Sequence, residues 1–587
     1  MDRPRLRTIH QRSWRVTAAR TIDIRLVRKA SLLLVPSVVI LALAVSRPEP
    51  LPAPPLPPSF DGSIAASLAR ELAAQHPVRT PGSAGADGAR RWLRDRLSPY
   101  GFRVQEDAWV EDVQGLGPTR LRNLSVVIPG TLETSLVFVA HLDNDMDGGG
   151  DNATGVAALI ELARAFAVGA TANARPRRPL HRLVFLWTDG EAHGSLGARR
   201  FAARESLATT AVVLDGVAGG AVRISVSGER HRVAAPALVR TVAERIAAET
   251  GVWSRLPSIA SQLVALGVPA AGGEHAVLLG RGIATVSVST GPEQRSRAGA
   301  DIPAVDAAAL GRLGAGLDSA LTALDAAVQL PRATAPGLHV GARAVPGWAL
   351  QVLLLCAVAP FLVATLDLLS RCRRRGIALA PAVRGIRCRA WPWLGTAGAL
   401  WVGVLVGELP GRGAPLPVPS LAGIDPTPLV TLAVAGIVWV VAAARAVLRR
   451  EHAVVAGEAE RAAGWAVALT VLLAVAILVA AANPFTLVFL VPSLAAWLIL
   501  AAVPPTRAAV ADCLFGFGLA GPCAGLAVVG GGLELGARTP LYLAAQLTTG
   551  AIPWLAIPAA VLWAAAAGQV AALARGSYAE TPPSRLR

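Results

Sequence analysis

Beyond residue 345 the chain passes through seven apolar stretches, near 348–370, 391–408, 427–447, 463–482, 486–503, 513–533 and 549–572. Most approach the roughly 20 residues that a helix needs to cross about 30 Å of hydrocarbon. In lipid a spanning segment must satisfy its backbone polar groups internally, so this half of the chain is confined to an α-helical transmembrane bundle. An eighth apolar run, SLLLVPSVVILALAVS at 31–46, lies near the other end. Composition agrees: 53% of the 587 residues are hydrophobic and 16% charged, where a soluble domain carries about 25% charge.

The net charge of +17 would fit a nucleic-acid binder, but its distribution points to a membrane instead. Nine basic residues crowd positions 1–29 and others fill RCRRRGIALAPAVRGIRCR, and both groups abut apolar runs. That is the positive-inside pattern, and nucleic acid is excluded as a partner. Loops 371–389 and 445–461 are basic, whereas 409–425 and the turn Asn483-Pro484-Phe485 are nearly uncharged. With a cytoplasmic N-terminus, eight spans return the C-terminal arginines to the cytoplasm. The run at 31–46 reads as a signal anchor, with a cleavable signal peptide (small residues at Ala42-Leu43-Ala44) as the alternative. Either form exports the segment C-terminal to it. The expected order is a basic cytoplasmic tail (1–29), an anchor (30–46), a Pro-rich linker (47–59), a soluble domain (60–330), about seven spans (345–572) and a cytoplasmic tail (573–587). The protein is thus expected in the cell membrane, multi-pass, with the lipid bilayer as a partner. No cysteine falls between 50 and 340, so the exported domain needs no disulfide framework. Cys372 and Cys388 share a basic loop, at a spacing that fits no zinc pattern.

From 60 to 330 the texture changes. Helical periodicity appears in GSIAASLARELAAQH, GADGARRWLRDRL, TGVAALIELARAFA and the stretch from Ala304 to Val328. Strand-like runs LVFVAH, HRLVFLWTD, AVVLD and IATVSVS alternate with them. Such alternation predicts a layered α/β domain with a mainly parallel sheet.

In a doubly wound sheet the active crevice lies beyond the carboxyl ends of the strands. LVFVA ends in His141, followed by Asp143, and the loop then runs through a glycine triplet to Asp151-Asn152. RLVFLWT leads into Asp189-Gly190-Glu191, and AVVL into Asp215. A loop just before the last strand carries Glu274-His275. Singly, each is explained as a cap, a turn or an ordinary histidine. Together they place imidazoles and carboxylates on one edge of a sheet, where unpaired burial is costly and a divalent metal would neutralise them.

The segments VFVAHLDNDMDGGGDNATGVAALIELARAF and VFLWTDGEAHGSLGARRFA closely resemble the signature segments of the co-catalytic zinc aminopeptidases of peptidase clan MH, family twenty-eight. Glutaminyl cyclases and membrane-bound metallopeptidases of the endoplasmic reticulum and vacuole are relatives in that group. HPVRTPGSAGADGARRWLRDRLSPYGF resembles the family's entry helix region, and GGEHAVLLGRGIATVSVS its final metal-histidine loop. The resemblance implies a three-layer α/β/α exopeptidase domain over roughly 60–330. It implies a peptide substrate and zinc, one or two ions. It makes His141, Asp151 and Asp215 ligands of one ion, with Asp151 bridging to a second that His275 also binds. It makes Asp143 the carboxylate orienting His141, and Glu191 the general base.

One position departs from the family. Two consecutive glutamates are normal there, the second a ligand of the second zinc, but here Glu191 is followed by Ala192, which has no donor atom. Three outcomes stay open: a one-metal enzyme, substitution by His193 or Asp189, or a decayed site that binds without cutting. The leading expectation is a membrane-anchored aminopeptidase outside the cytoplasm, and the alternative a pseudopeptidase serving as a tethered binding or scaffold domain. Transport through the spans, with Asp367 and Glu408 as candidate intramembrane charges, and cyclisation of N-terminal glutamine are weaker readings.

Overall fold

The computed structural model describes residues 22–576 apart from 114, 145–150, 168–177, 206–207, 218–219, 269–271, 291–304, 333, 413–426, 450–456, 504–506 and 533–534. Most of the basic tail, the glycine triplet at 148–150, most of the uncharged loop 409–425 and the arginines at 585 and 587 lie outside the described residues.

The strands of the soluble half are β1 (Val104–Val113), β2 (Gly117–Ile128), β3 (Ser135–His141), β4 (Arg182–Thr188), β5 (Thr209–Leu214), β6 (Arg223–Ser225) and β7 (Ala284–Ser289). They form one sheet in the order β1-β2-β4-β3-β5-β7-β6. The inner strands β4, β3, β5 and β7 run parallel. The β1-β2 hairpin joins β4 antiparallel, and β6 pairs antiparallel with β7. The inner four are the strand-like runs read from the sequence. Their near-continuous apolar character follows from helices covering both faces.

Alternation along each strand decides which layer a side chain meets. Leu136, Phe138 and Ala140 pack in one core with the helices Gly62–Gln75, Ala153–Arg164, Pro236–Thr250 and Ala307–Asp325. Val137 and Val139 face the other way, with Leu186 and Val213, onto Ala202 and Leu278 of the helices Leu196–Arg204 and Glu274–Gly280. The domain is therefore a three-layer α/β/α sandwich. The β1-β2 hairpin was not read from the sequence, because the acidic, largely exposed β1 lacks an apolar face. Its charges suit an edge strand, where they discourage further pairing. Glu274 and His275 are also corrected: they open a helix, Glu274–Gly280, instead of lying on a loop.

Among the described residues, seven helices are long and apolar enough to cross a membrane by length and composition: Ile24–Ala44, Gly347–Arg374, Leu429–Ala446, Glu458–Ala482, Pro484–Ala502, Ala508–Gly531 and Ala556–Ala574. The expected span at 391–408 falls on the helix Ala380–Leu405, which is not among them and opens with Arg384, Arg387 and Arg389. The stretch before the last span forms its own helix, Thr539–Thr549, separated by Gly550 in left-handed conformation. Only 6% of the Leu429–Ala446 window is buried, with Ile437, Trp439 and Val440 turned outward, an apolar surface suited to lipid. The two acids weighed as marks of a transport path have structural partners. Asp367 pairs with Arg371 at 2.7 Å, and Glu408 accepts the Val430 and Thr431 backbone N–H groups at the start of the next helix.

The soluble half meets the bundle through the hairpin β8 (Gly337–Val340) and β9 (Arg343–Pro346). Ser46, just past the first apolar helix, exchanges backbone hydrogen bonds with Ala344, just before the second (3.0 and 2.9 Å). His339 of β8 is buried, and its Nε2 donates to Ala234 O at 3.2 Å. Burial pushes its imidazole down to about 4, against the smaller opposing pull of that hydrogen bond. With the folded value below the unfolded one, the contribution is complete above about pH 6.5 and is lost as pH falls toward about 4. Full-length protein in detergent is expected to melt at lower temperature at pH 5 than at pH 7.5, and His339→Gln to weaken that dependence. Equal pH sensitivity in the variant would assign the effect to other groups.

Candidate active site

His141 is the last residue of β3 and lies beside Thr188, the last of β4. Asp189 and Glu191 continue directly from β4 and Asp215 from β5, where the Asp215 backbone N–H is bonded to Val288 O of β7 at 3.0 Å. Parallel pairing in a common register thus delivers these residues to the carboxyl edge of the sheet.

His141 is buried, and its Nδ1 donates to the main-chain oxygen of Asp143 at 3.0 Å. That engages Nδ1 and leaves Nε2 toward Asp215 Oδ1, 3.6 Å away. Asp143 Oδ1 is 3.8 Å from the same ring, while Oδ2 accepts the backbone N–H of Glu191 at 2.9 Å. Asp143 therefore holds His141 through its backbone oxygen and Glu191 through its carboxylate. Glu274 is buried and accepts the Thr188 hydroxyl. Its Oε2 and Asp143 Oδ1 are buried without a hydrogen-bond partner among the described residues.

Burial would lower the His141 imidazole, but Asp215, Glu191 and Asp143 outweigh it and hold it well above the usual range. Burial drives Asp143 well up, opposed by His141 and reinforced by Asp189, Glu191 and Glu274. Glu274 is raised by burial against the pull of His141. Burial pushes the His275 imidazole down to about 4, opposed by Asp215 and the Ser227 backbone. It is neutral at physiological pH, the form that ligates metals.

Asp151 stands apart. The N-cap of the helix Ala153–Arg164 is Asn152, whose side chain accepts from Gly155 N and Gly216 N and donates to Leu214 O, stapling this loop to the end of β5. Asp151 Oδ1 accepts the Ala153 N–H at 2.9 Å and also the guanidinium of Arg79. Arg79 is wholly buried and also binds Leu142 O (2.7 Å) and His76 O (2.6 Å), while its backbone N–H bonds Asn144. Oδ1 is thereby saturated, and Asp151 has Oδ2 left to offer. Asp189, one of the two candidate substitutes, is held by Arg90 (3.1 Å) and the Arg122 N–H (3.0 Å). Ala192 and His193 lie on the turn after Glu191.

Among the described residues no three His, Cys, Asp or Glu side chains stand as a ready metal-holding group. His141 Nε2 and Asp215 Oδ1 nonetheless stand as two donors of a divalent ion would. Tetrahedral zinc ligands at about 2.0–2.1 Å lie about 3.3 Å from one another, close to the separation of His141 Nε2 and Asp215 Oδ1. The orphaned oxygens of Asp143 and Glu274 mark negative charge that the protein leaves unbalanced. Sequence reading missed Arg79 and Asn152. Both lie in segments that carry the family resemblance, but neither bears the residue type of a ligand or base.

Residues 123–254 match the model of Peptidase family M28, under a quarter of the chain, and the chain resembles that family there. The matched segment holds His141, Asp143, Asp151, Glu191 and Asp215, and ends before His275. No curated protein matches the chain. Among solved structures, a glutaminyl cyclase from an Acidobacteriales bacterium is 20% identical, with a TM-score of 0.37 over 47% of this chain and 98% of that one. A Zn-dependent exopeptidase from Parabacteroides distasonis is 15% identical (TM-score 0.34; 45% and 98%). A leucine aminopeptidase precursor from Bacteroides thetaiotaomicron is 16% identical (TM-score 0.36; 46% and 99%).

Removing Arg79 would strand the Asp151 carboxylate and several carbonyls. Arg79→Leu is expected to destabilise the protein by about 3 kcal/mol. Thermal melting of the full chain, alongside the milder Arg79→Lys, measures it, and a wild-type melting temperature in Arg79→Leu would show the ion pair to be dispensable.

Proposed function

We propose that this chain is a membrane-anchored zinc metallo-exopeptidase of the aminopeptidase type, removing N-terminal residues from peptides outside the cytoplasm. The observation that carries the reading is His141 Nε2 facing Asp215 at 3.6 Å, with Glu191 fastened beside them through Asp143, in a segment resembling Peptidase family M28. His141, Asp215 and the remaining oxygen of Asp151 would hold one ion. A second ion would have to be held by His275 without a donor at Ala192 and without the Asp151 oxygen engaged by Arg79, so the reading is of a single zinc.

When bound, the ion supplies Lewis acidity toward the scissile carbonyl and the attacking water. The protein's own groups do the rest. Glu191 takes the water proton and passes it to the departing amine, as a general base and then acid. Asp143 fixes where Glu191 sits, and the Asp143 main-chain oxygen keeps the proton on His141 Nδ1 so that Nε2 stays a donor of its lone pair. Burial of His141, Asp143 and Glu274 excludes water from one side of the site.

The extracytoplasmic side is supported by the anchors. The first apolar helix begins with Arg25, Arg28 and Lys29, and the helix Gly347–Arg374 ends with Arg371, Arg373 and Arg374. Both basic ends lie opposite the ends joined through Ser46 and Ala344, where the soluble domain attaches. A second reading, a catalytically impaired domain that binds without cutting, is favoured by Ala192.

Purified full-length protein loaded with zinc is expected to cleave aminoacyl-nitroanilides with about one zinc per chain. Glu191→Gln should lower kcat by roughly 10²–10⁴-fold at unchanged zinc content. An unchanged rate in that variant would remove Glu191 from the role of base. An inert wild type that gains turnover with Ala192→Glu would establish the impaired reading instead.

A further inference from the structure

The uncharged turn at Asn483-Pro484-Phe485 joins the helices Glu458–Ala482 and Leu487–Ala502 of the bundle, and it reaches into the soluble domain. Asn483 is buried. Its Nδ2 donates to Leu266 O at 2.7 Å and to Gly267 O at 3.1 Å, and its Oδ1 accepts the Phe485 N–H at 3.1 Å. Thr486 adds a bond from Oγ1 to Gly267 O at 2.8 Å. The acceptors are carbonyls at the C-terminal end of the helix Ile259–Gly267, groups that a helix leaves unsatisfied within itself. The bundle thus caps a helix of the other domain. The approach is close enough to require glycine, since a Cβ on Gly267 would lie 2.6 Å from the Phe489 ring.

That helix leads, within eight residues, to Glu274 and His275. A second route converges there. Gly228 packs directly on the helix that His275 opens, since a Cβ there would lie 2.3 Å from Leu279 Cβ and 3.1 Å from Ala276 O, and its loop is closed by Gly228 N–H donating to Arg232 O at 2.8 Å. Two non-glycine residues of the loop, Arg230 (φ 57°) and His231 (φ 60°), are left-handed, a costly conformation that persists where surroundings enforce it. His231 Nδ1 lies 3.4 Å from Asn483 Nδ2. In the same loop Glu229 pairs with Arg199, whose Nε donates to Gly194 O on the turn that carries Glu191. One bundle side chain therefore touches both segments that place His275, and the second of them reaches the turn of Glu191.

We propose that Asn483 is a positioning residue for His275 and the Glu191 turn, so that the bundle is a structural part of the site as well as its anchor. Its catalytic meaning rests on the peptidase reading; its structural content does not.

The test uses full-length protein in lipid nanodiscs. Asn483→Asp keeps the side chain's shape and its cap on Phe485 but sets a carboxylate oxygen against two carbonyls. Thr486→Val removes a single bond. Hydrogen–deuterium exchange over 226–234 and 272–280 is expected to quicken at least tenfold in Asn483→Asp and less in Thr486→Val, with 135–141 unchanged. Zinc content should stay at about one per chain, since the ion's three donors are not disturbed, and kcat should fall at least tenfold, more than KM rises, through the Glu191 turn. Wild-type exchange over 272–280 in both variants overturns the proposal, and so does faster exchange with unchanged turnover. If Asn483→Asp does not fold, Thr486→Val decides alone. A wild type that neither cleaves nor holds zinc defeats the peptidase reading, while the exchange result still decides whether the bundle positions His275.

Discussion

Carboxylates crowd the carboxyl edge of the sheet, and the way their charge is balanced organises everything around it. Asp143 is raised by burial and again by Asp189, Glu191 and Glu274, while His141 pulls it and Glu274 back. Buried guanidinium groups answer part of this charge, Arg79 on Asp151 and Arg90 on Asp189. The remainder lies at Asp143 and Glu274, each with a buried carboxylate oxygen lacking a hydrogen bond among the described residues, beside the His141–Asp215 pair. An apolar interior would not tolerate that excess without a cation or protons. The location of the site thus follows from where compensation stops.

The same accounting separates the two halves of the family's usual donor set. Donors at the β3 and β5 ends face each other at a separation suited to one ion. On the other side, Ala192 has no donor, Asp151 Oδ1 is engaged by Arg79 and Ala153, and burial keeps the His275 imidazole low. The asymmetry is built from ordinary hydrogen bonds and one substitution.

The junction between the halves is equally specific. Ser46 and Ala344 bring the ends of two apolar helices together by backbone pairing, and Gln262 exchanges hydrogen bonds with the His339 backbone at 2.7 and 2.8 Å. Buried polar contacts of this kind fix orientation, because an alternative docking would leave carbonyls and amides without partners. The helix Leu429–Ala446 turns most of its surface outward, and its polar contacts lie at its start, where Glu408 accepts the Val430 and Thr431 N–H groups, and at Trp439, whose Nε1 donates to Thr396 Oγ1 at 3.0 Å.

Much of this was legible in the sequence, for physical reasons. The inner strands announce themselves because burial on both faces demands continuous apolar runs, and His141, Asp143, Glu191 and Asp215 fall where those runs stop. The bundle helices are legible because hydrocarbon admits little else. The β1-β2 hairpin was not, since an acidic edge strand has no buried face to signal it, and the helix Ala380–Leu405 extends its apolar run backward through three arginines. The sequence by itself determined the fold class and the edge of the sheet at which chemistry can occur, because both depend on local periodicity and on residue type at strand ends. Only the tertiary structure decided that Asn152 caps while Asp151 pairs with Arg79, that Asp143 grips the Glu191 backbone, and that Asn483 reaches from the bundle to a helix of the α/β half. Apart from the Asn152 cap, these contacts join residues 48 to 217 positions apart, and no local pattern encodes which distant donor will satisfy a given buried acceptor.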